Sequence, residues 1–241
     1  MSKLKRFFAN QPPRDGVFVI EGQEATHAKS VMRLNVGDET IICCGDGLDY
    51  NCKIVEISRD TLVCDVLSTS QNQADAQIEV ALYQALVKAD KLELIAQKVS
   101  EIGVSKLVPF TSEFCVVQGE LSRQKVERLD KIAVESAKQC GRSKPLTIES
   151  CRSFETILRE LGQYDLVIFA YENAKDVKIR EIEGDYKKIA VVVGSEGGFS
   201  LDESNKLCQL GNVKCVTLGK RILRAETAAI VGCALVMEKF E

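Results

Sequence analysis

The segment Leu218–Ala228 carries three charged side chains that could act on a bound substrate, Arg221, Arg224 and Glu226. An apolar run that predicts a helix follows, and two arginines at a helix N-terminus oppose the macrodipole, which favours anions there. Conflicts of this kind often mark functional positions. The arginines therefore predict either a phosphate or a developing oxyanion as their partner, or a salt bridge to Glu226 or Glu196. Both interpretations stay open.

A glycine-rich turn is the second candidate site. Ile189–Val193 is an unbroken apolar run, typical of a strand covered on both faces, and three of the next five residues, Gly194–Gly198, are glycines. Ser200 and Glu203 then form a capping-box pattern, which predicts a helix beginning near Leu201. Free N–H groups in such a turn face the carboxyl edge of a parallel sheet, so the turn predicts a ligand-binding loop. It matches neither a Walker loop nor the Gly-x-Gly-x-x-Gly fingerprint.

Metal and nucleophile chemistry find little support in the sequence. The chain has 10 cysteines but no Cys-x-x-Cys pair, and His27 is its only histidine, so no metal site is predicted. Most of the cysteines fall at apolar periodic positions, which is typical of small reduced core residues. With a single histidine and no evident nucleophile, a hydrolytic triad is not expected.

Apolar periodicity divides the chain into two predicted domains. Short strands separated by turn residues, with one helix at about Glu24–Leu34, predict a small β-barrel-like domain over 1–70. The polar segment Ser68–Asp75 has the composition of a linker. Strands and helices then alternate, which predicts an α/β domain with a parallel sheet over 76–241.

Three helices of the second domain have recognisable ends. Asp90 and Glu93 are predicted to cap a helix that Gly103 ends, and a longer helix is predicted at Arg123–Cys140. The last predicted helix, Glu226–Lys239, is apolar on nearly all sides. Such a helix lies at the centre of a domain or in a subunit interface, and we expect a homodimer.

Charge and hydropathy restrict the partners of the protein. The net charge of -3 argues against a protein that coats nucleic acid without specificity. Residues 1–37 and 121–145 are nevertheless locally basic, and such clusters can bind a specific RNA. The longest uncharged apolar stretch, Thr227–Met237, is shorter than the roughly 20 residues that a membrane span needs. We expect a cytoplasmic protein without a membrane partner.

Val193–Ser200 and Leu218–Ala228 together resemble the two hallmark motifs of the ribosomal RNA small subunit methyltransferase E family. The pair is far more specific than either motif alone. The similarity extends over both predicted domains, through Arg6-Phe-Phe, His27-x-x-x-Val-Met-Arg33, Lys88-x-Asp-Lys-Leu-Glu93, Gln97–Gly103 and Ala137–Arg142.

The resemblance implies a fold and an activity. The fold would be an N-terminal PUA-like barrel and a C-terminal SPOUT methyltransferase domain with a trefoil knot near its C-terminus, working as a homodimer. Members of this family transfer a methyl group from S-adenosylmethionine to N3 of a uridine in small-subunit (16S) ribosomal RNA, which would be met as free RNA or as the assembled subunit.

The implied activity leads to hypotheses for individual residues, and the resemblance implies where the donor binds. Arg224, or alternatively Arg221, would stabilise negative charge on the uridine, and Glu226 or Glu196 would accept its proton. The donor would bind among three loops, through Ala170, Gly194, Glu196, Gly197, Gly198, Leu218, Gly219, Ile222 and Leu223. Phosphate contacts are predicted for Arg6, Arg33 and Arg142.

Three positions depart from the family pattern. Ser195 replaces a usual proline, which predicts a looser turn, Ala225 replaces a frequent threonine, and Phe114 stands after Glu113 where arginine is usual. Two other function classes agree less well with the sequence than the enzyme does. The retained glycines and Arg224 argue against a non-catalytic RNA-binding or ribosome-assembly factor. A nucleotide-dependent oxidoreductase would need a phosphate fingerprint after the first strand of the α/β domain, and there is none.

Overall fold

The computed structural model describes residues 4–174 and 177–241. The chain forms two compact units. One contains the described residues up to Asp75 together with Ala137–Pro145, and the other contains Ala76–Ser136 and Leu146–Glu241. Residue 1, where the predicted first domain begins, lies outside the described residues. Within these residues, no helix is both long and apolar enough to cross a membrane.

The first unit holds a five-stranded sheet and one helix. Its order is β1-β3-β4-β5-β2, with β1 parallel to β3 and the other neighbours antiparallel. Alternate strand residues are buried, which produces a small core around Phe7, Phe18, Ile42, Ile54 and Leu62. The elements are β1 (Lys5–Phe8), β2 (Val17–Glu21), α1 (Gln23–Ser30), β3 (Glu39–Cys43), β4 (Leu48–Ile57) and β5 (Thr61–Gln71).

Two details of this unit differ from the sequence prediction. Ser68–Gln71, predicted as the start of a linker, continues β5 and pairs with Leu48–Asn51 of β4. Its side chains are exposed, so a polar sequence is compatible with a paired strand. Ala137–Pro145, predicted within the second domain, belongs to the first unit. Asn72 Nδ2 donates a hydrogen bond to the Gly141 carbonyl at 2.8 Å, a contact between distant segments that no local pattern reveals.

The second unit is a parallel α/β sheet, as predicted. Its strand order is β12-β10-β11-β6-β7-β8, with β9 also paired to β7, and all of its strand pairs are parallel. Its elements are β6 (Glu79–Ala85), α2 (Ala89–Ile102), β7 (Lys106–Thr111), α3 (Arg123–Cys140, whose last residues belong to the first unit), β8 (Thr147–Ile148), β9 (Arg152–Ser153), α4 (Phe154–Leu161), β10 (Leu166–Ala170), a 3-10 turn (Ile179–Glu181), β11 (Lys188–Val193), α5 (Leu201–Cys208), β12 (Val213–Val216) and α6 (Ala225–Phe240).

Strand order positions the candidate site. Because β12, β10, β11 and β6 are neighbours and run in the same direction, the loops that follow them emerge at one edge of the sheet. These loops include the glycine-rich turn after β11 and the arginine segment after β12. The two candidate sites that were predicted from the sequence therefore lie in the same region of the structure. The trefoil knot stays a prediction, since strand order and register do not define how the chain threads.

Helix α6 is covered on one side only. Its residues Ala229, Gly232, Cys233 and Val236 are buried in the core, whereas Leu235 is 40% exposed. The buried cysteines have free thiols, as predicted for core residues, and burial raises the pKa of Cys233 to about 12.

Candidate functional site

A cavity of about 450 Å³ opens where the loops after β10, β11 and β12 meet. Its lining includes ten of the predicted site residues: Ala170, Gly194, Glu196, Gly198, Leu218, Gly219, Arg221, Ile222, Leu223 and Arg224. It also includes residues to which the sequence assigned no role, among them Lys91, Tyr171, Glu172, Phe199 and Thr217. Gly197 and Glu226 are not part of the lining.

The glycines allow close packing around the turn. A Cβ on Gly194 would lie 2.9 Å from the Phe199 ring, and Gly198 has φ +71°, a conformation that disfavours other residues. Gln84, at the end of β6, donates from Nε2 to the Gly194 carbonyl at 3.0 Å. The turn is thus held from the neighbouring strand while its backbone lines the cavity.

Gly197 does not line the cavity, but it packs against the loop after β7. A Cβ there would lie 2.8 Å from Phe114 Cβ, so a side chain at this position would collide with the loop after β7. Glycine therefore permits the turn and that loop to pack together.

Ser195 was predicted to loosen the turn, but its hydroxyl forms two hydrogen bonds there. Its buried hydroxyl donates to the Phe114 carbonyl at 3.2 Å and accepts a hydrogen bond from the Gly197 N–H at 3.3 Å. The serine consequently ties the turn to the loop after β7, because a hydroxyl supplies a donor and an acceptor that proline lacks.

The helix after the turn begins as predicted. Ser200 Oγ accepts from the Glu203 N–H at 3.3 Å, and Glu203 Oε2 accepts from the Ser200 N–H at 3.0 Å. Glu203 is only 6% exposed, and its Oε1 accepts a further hydrogen bond from the Glu113 N–H at 2.9 Å. One carboxylate thus fixes the start of α5 and the loop after β7.

Glu196 has a structural partner that the sequence did not indicate. The predicted cap Asp90 lies inside the first turn of α2, whereas the N-cap residue is Lys88, whose side chain makes no capping bond. Lys91, in the first turn of α2, instead donates from Nζ to Glu196 Oε1 at 2.9 Å, and the Lys88 backbone also contributes to lowering the pKa of Glu196. A carboxylate from a distant turn therefore occupies the positive end of α2. Burial would raise the pKa of Glu196, but the hydrogen bond from Lys91, backbone hydrogen bonding and the charge of Lys91 together hold the pKa below its ordinary value.

Lys91 joins the two candidate bases. Besides its bond to Glu196, its Nζ lies 3.6 Å from Glu226 Oε2. That oxygen is buried and has no hydrogen-bond partner among the described residues. The hydrogen bond from Lys91 to Glu196 raises the pKa of the lysine above its ordinary value. Lys91 belongs to the Lys88-x-Asp-Lys-Leu-Glu93 segment that resembles the family, but its contacts with Glu196 and Glu226 could not be predicted because both are far from it in the sequence.

The two arginines are free of carboxylates. Both are exposed at the cavity, and neither forms an ion pair among residues 4–174 and 177–241. The salt-bridge interpretation is wrong for the described residues, since Lys91 is the partner of both glutamates. Arg224 is the N-cap residue of α6, and its guanidinium remains available to an external anion.

The three arginines predicted to contact phosphate differ in exposure. The Arg6 guanidinium is buried and binds Asp49 through two hydrogen bonds, the second at 2.9 Å. Arg142 is 4% exposed, with Nε 3.7 Å from Asp75 Oδ1. Both form internal ion pairs of the first unit, and a phosphate would have to displace a buried carboxylate to reach them. Arg33 is exposed, with φ +55°, and remains a candidate phosphate contact.

Comparison with protein families agrees with this geometry. An RNA methyltransferase domain family matches residues 74–237, and an RNA methyltransferase PUA domain family matches residues 20–67. The first match includes every loop that lines the cavity.

Individual proteins resemble the chain over nearly its full length. The ribosomal RNA small subunit methyltransferase E of Bacillus subtilis is 32% identical, with 93% of this chain and 91% of that protein covered. The enzyme of the same name from Rickettsia conorii is 30% identical over 87% of this chain and 84% of its own length.

Solved structures share the fold. A crystal structure of ribosomal RNA small subunit methyltransferase E from Neisseria gonorrhoeae bound to S-adenosyl methionine matches with a TM-score of 0.89 at 22% identity, over 99% of this chain and 98% of that one. This structural similarity shows a shared fold only. The family match and the 32% identity to the Bacillus protein show membership of a family. The chain belongs to the ribosomal RNA small subunit methyltransferase E family.

Proposed function

We propose that this protein transfers the methyl group of S-adenosylmethionine to N3 of a uridine in small-subunit ribosomal RNA. The observation that carries the proposal is the cavity at the carboxyl edge of the parallel sheet, where glycine backbone meets two arginines that form no ion pair within 4–174 and 177–241. The family relationship supports the same activity. The substrate is the free RNA or the assembled small subunit, in the cytoplasm.

The cavity fits the proposed donor. Its volume of about 450 Å³ lies in the range of roughly 300–1,000 Å³ that is typical of small-molecule sites. Gly194 and Gly198 leave backbone accessible, Tyr171 adds an aromatic ring, and the carboxylates of Glu172 and Glu196 in the lining favour a cationic ligand. S-adenosylmethionine supplies an electrophilic methyl group on a sulfonium.

Side chains of this protein would stabilise the negative charge that develops on the uridine. N3 must lose its proton before it can form a bond to carbon, and the electron pair that remains spreads onto O2 and O4. Arg224, or alternatively Arg221, would stabilise that negative charge, because both line the cavity and neither forms an ion pair among the described residues. The uridine must also be taken out of its stack to reach the cavity.

Glu196 and Glu226 remain the two candidate proton acceptors. Glu196 lines the cavity, but Lys91 holds its carboxylate, and its lowered pKa makes it a weaker base. Glu226 lies in the first turn of α6 and does not line the cavity, but its buried Oε2 has no hydrogen bond among the described residues. A movement of α6 or of the Glu226 side chain would be required for it to reach N3.

A homodimer is part of the proposal. The outward side of α6 carries apolar side chains that are only partly covered, including Leu235 at 40% exposure. A second copy of the chain would cover them. Arg33, exposed in the first unit, is the proposed phosphate contact there.

Calorimetric titration with S-adenosylmethionine tests the donor site. Gly194→Arg should abolish binding, because even a Cβ at Gly194 meets the Phe199 ring and the arginine would occupy the cavity. Gly211→Arg is the matched control, since a Cβ at Gly211 has nothing within 4 Å and the residue is outside the lining. We expect one donor per chain or per dimer in the wild type and in the control. A folded wild type that binds no donor, with or without RNA, would favour the non-catalytic assembly factor.

Methyl transfer to small-subunit RNA tests the arginine. Arg224→Ala should lower the rate by about 10²–10³-fold, the range for loss of one group that stabilises transition-state charge. Donor affinity should change much less, because the proposed partner of Arg224 is the uridine. Transfer at the wild-type rate in Arg224→Ala would show that the electrostatic role is wrong.

A further inference from the structure

Phe114 carries an exposed aromatic ring that the proposed mechanism does not use, on a loop that packs against the turn forming one wall of the cavity. It is 46% exposed, whereas Phe110, Phe154 and Phe169 pack around the ring of Phe199 at centroid distances of 5.1–6.4 Å. Within the described residues, Phe114 has no ring partner. An aromatic ring left in solvent next to a binding cavity is a candidate ligand contact.

The backbone on both sides of Phe114 is fixed. The Phe114 carbonyl accepts a hydrogen bond from Ser195 Oγ at 3.2 Å, and the N–H of the preceding Glu113 donates to Glu203 Oε1 at 2.9 Å. The following residue, Cys115, is buried, and its N–H donates to the Ser112 carbonyl at 3.2 Å. The exposed ring is therefore attached to an ordered segment, which lowers the entropy lost when a ligand packs on it.

Phe114 adjoins the turn that forms one wall of the cavity. Its Cβ would be 2.8 Å from a Cβ on Gly197, while the flanking turn residues Ser195, Glu196 and Gly198 line the cavity. The lining also contains Lys220, Arg221 and Arg224, which are exposed and form no ion pair among the described residues. Sites for single-stranded nucleic acid combine these two features, cations for the phosphates and aromatic faces for the bases.

We propose that Phe114 is a stacking residue for an unpaired nucleobase of the RNA substrate, held beside the donor cavity. The inference rests on the proposed function, because it takes its ligand from the RNA that the enzyme methylates. A uridine cannot present N3 while it is stacked and paired, so the extruded base or its neighbour needs a new surface. Aromatic side chains supply such a surface for unpaired RNA bases.

Fluorescence tests the contact directly, since the chain contains no tryptophan. Phe114→Trp introduces a single indole, and stacking of a nucleobase on it should quench its emission when small-subunit RNA is added. Leu94→Trp is the matched control, because Leu94 on α2 is 42% exposed and is not part of the cavity lining. We expect saturable quenching in the first variant and none in the second. Equal quenching in both, or none in Phe114→Trp, would overturn the proposal.

Measurements of RNA affinity distinguish a stacking contact of the aromatic ring from an effect of side-chain size. Phe114→Ala and Phe114→Leu should each weaken RNA binding by roughly 5- to 150-fold, because leucine has no π face, whereas Phe114→Tyr should retain wild-type affinity. Calorimetric titration with S-adenosylmethionine should be unchanged in all three variants, which also shows that they fold. Wild-type RNA affinity in Phe114→Leu would overturn the proposal.

The oligomeric state of the variants separates RNA stacking from a contact between two copies of the chain. A Phe114→Ala protein that loses its dimeric state and keeps its RNA affinity would show that Phe114 contacts a second copy, which overturns the stacking role. Failure of the proposed function has a different signature, since the wild type itself would then bind no donor and methylate no RNA.

Discussion

Lys91 lies between two carboxylates, one in the cavity lining and one behind it at the start of α6. It donates to Glu196 of the glycine-rich turn at 2.9 Å and lies 3.6 Å from Glu226 at the start of α6. The lysine thus connects α2, the turn and α6 through one ammonium group. Removing it would leave the buried Glu226 oxygen without its nearest cation, a situation that proteins tolerate poorly.

The Lys91–Glu196 contact predicts how stability depends on pH. Because the folded-state pKa of Glu196 is lowered, the contact stabilises the fold fully above the ordinary value of 4.5 and is lost as the pH falls through the lower folded-state pKa. In Lys91→Met the largest cause of the lowering disappears. The melting temperature of the variant should therefore fall below that of the wild type by roughly 1–3 °C at neutral pH, and the gap should narrow below pH 4.5.

Thermal unfolding followed by circular dichroism between pH 3 and pH 7 measures this gap. Lys98→Met is the control on the same helix, because it removes only a partly exposed pair with Glu101. A gap between Lys91→Met and wild type that stays constant over the whole pH range would contradict the predicted linkage.

The carboxylate of Glu203 joins two elements, the start of α5 and the loop after β7. Glu203 accepts from Ser200 with one oxygen and from Glu113 with the other, and it is buried. The capping box was readable from the sequence because its two residues are three positions apart. The contact with Glu113 was not, because 90 residues separate the partners.

Glu203→Gln tests this shared role. Glutamine keeps one acceptor oxygen, but its NH₂ group would face one of the two backbone N–H groups, so one hydrogen bond is lost and two donors meet. We expect the free energy of unfolding to fall by about 1–3 kcal/mol in denaturant titrations. Hydrogen exchange at the Glu113 amide should also become faster.

Asp202→Asn provides the comparison for that substitution. Asp202 lies in the same helical turn but is exposed and pairs only with Lys206, so the variant should lose less stability than Glu203→Gln. An unchanged Glu113 exchange rate in Glu203→Gln would show that the loop after β7 is held by other contacts.

At the scale of the whole molecule, the outward side of α6 predicts the oligomeric state. Leu235→Glu places a charge on the face that we propose to lie between two copies of the chain, so it should convert the dimer to a monomer. Sedimentation equilibrium should give about twice the chain mass of 26.6 kDa for the wild type and the single mass for the variant.

Val55→Glu is a control of matched exposure. Val55 on β4 is 41% exposed, against 40% for Leu235, and lies in the first unit. This variant should remain dimeric. A monomeric wild type, or a Leu235→Glu protein that stays dimeric, would remove α6 from the proposed interface.

Features that depend on neighbouring residues follow from the amino-acid order alone. The apolar run at 189–193 is β11, the Ser200–Glu203 pattern caps α5, and Gly103 ends α2 with φ +111°. The two motifs indicated the family, and the alternation of strands and helices indicated the parallel sheet. These signals act within about one helical turn or one strand, and such short-range preferences are written directly in the order of residues.

Which charged side chains meet depends on how the elements pack in three dimensions. Arg6 was a candidate phosphate contact until the sheet of the first unit placed Asp49 beside it, and Glu196 had no partner until the order of strands brought the turn to the start of α2. Ser195 likewise stiffens its turn through Phe114, a residue that lies 81 positions away. An ion pair or hydrogen bond of this kind depends on the distance between atoms, and that distance is set by sheet order and packing rather than by local preference.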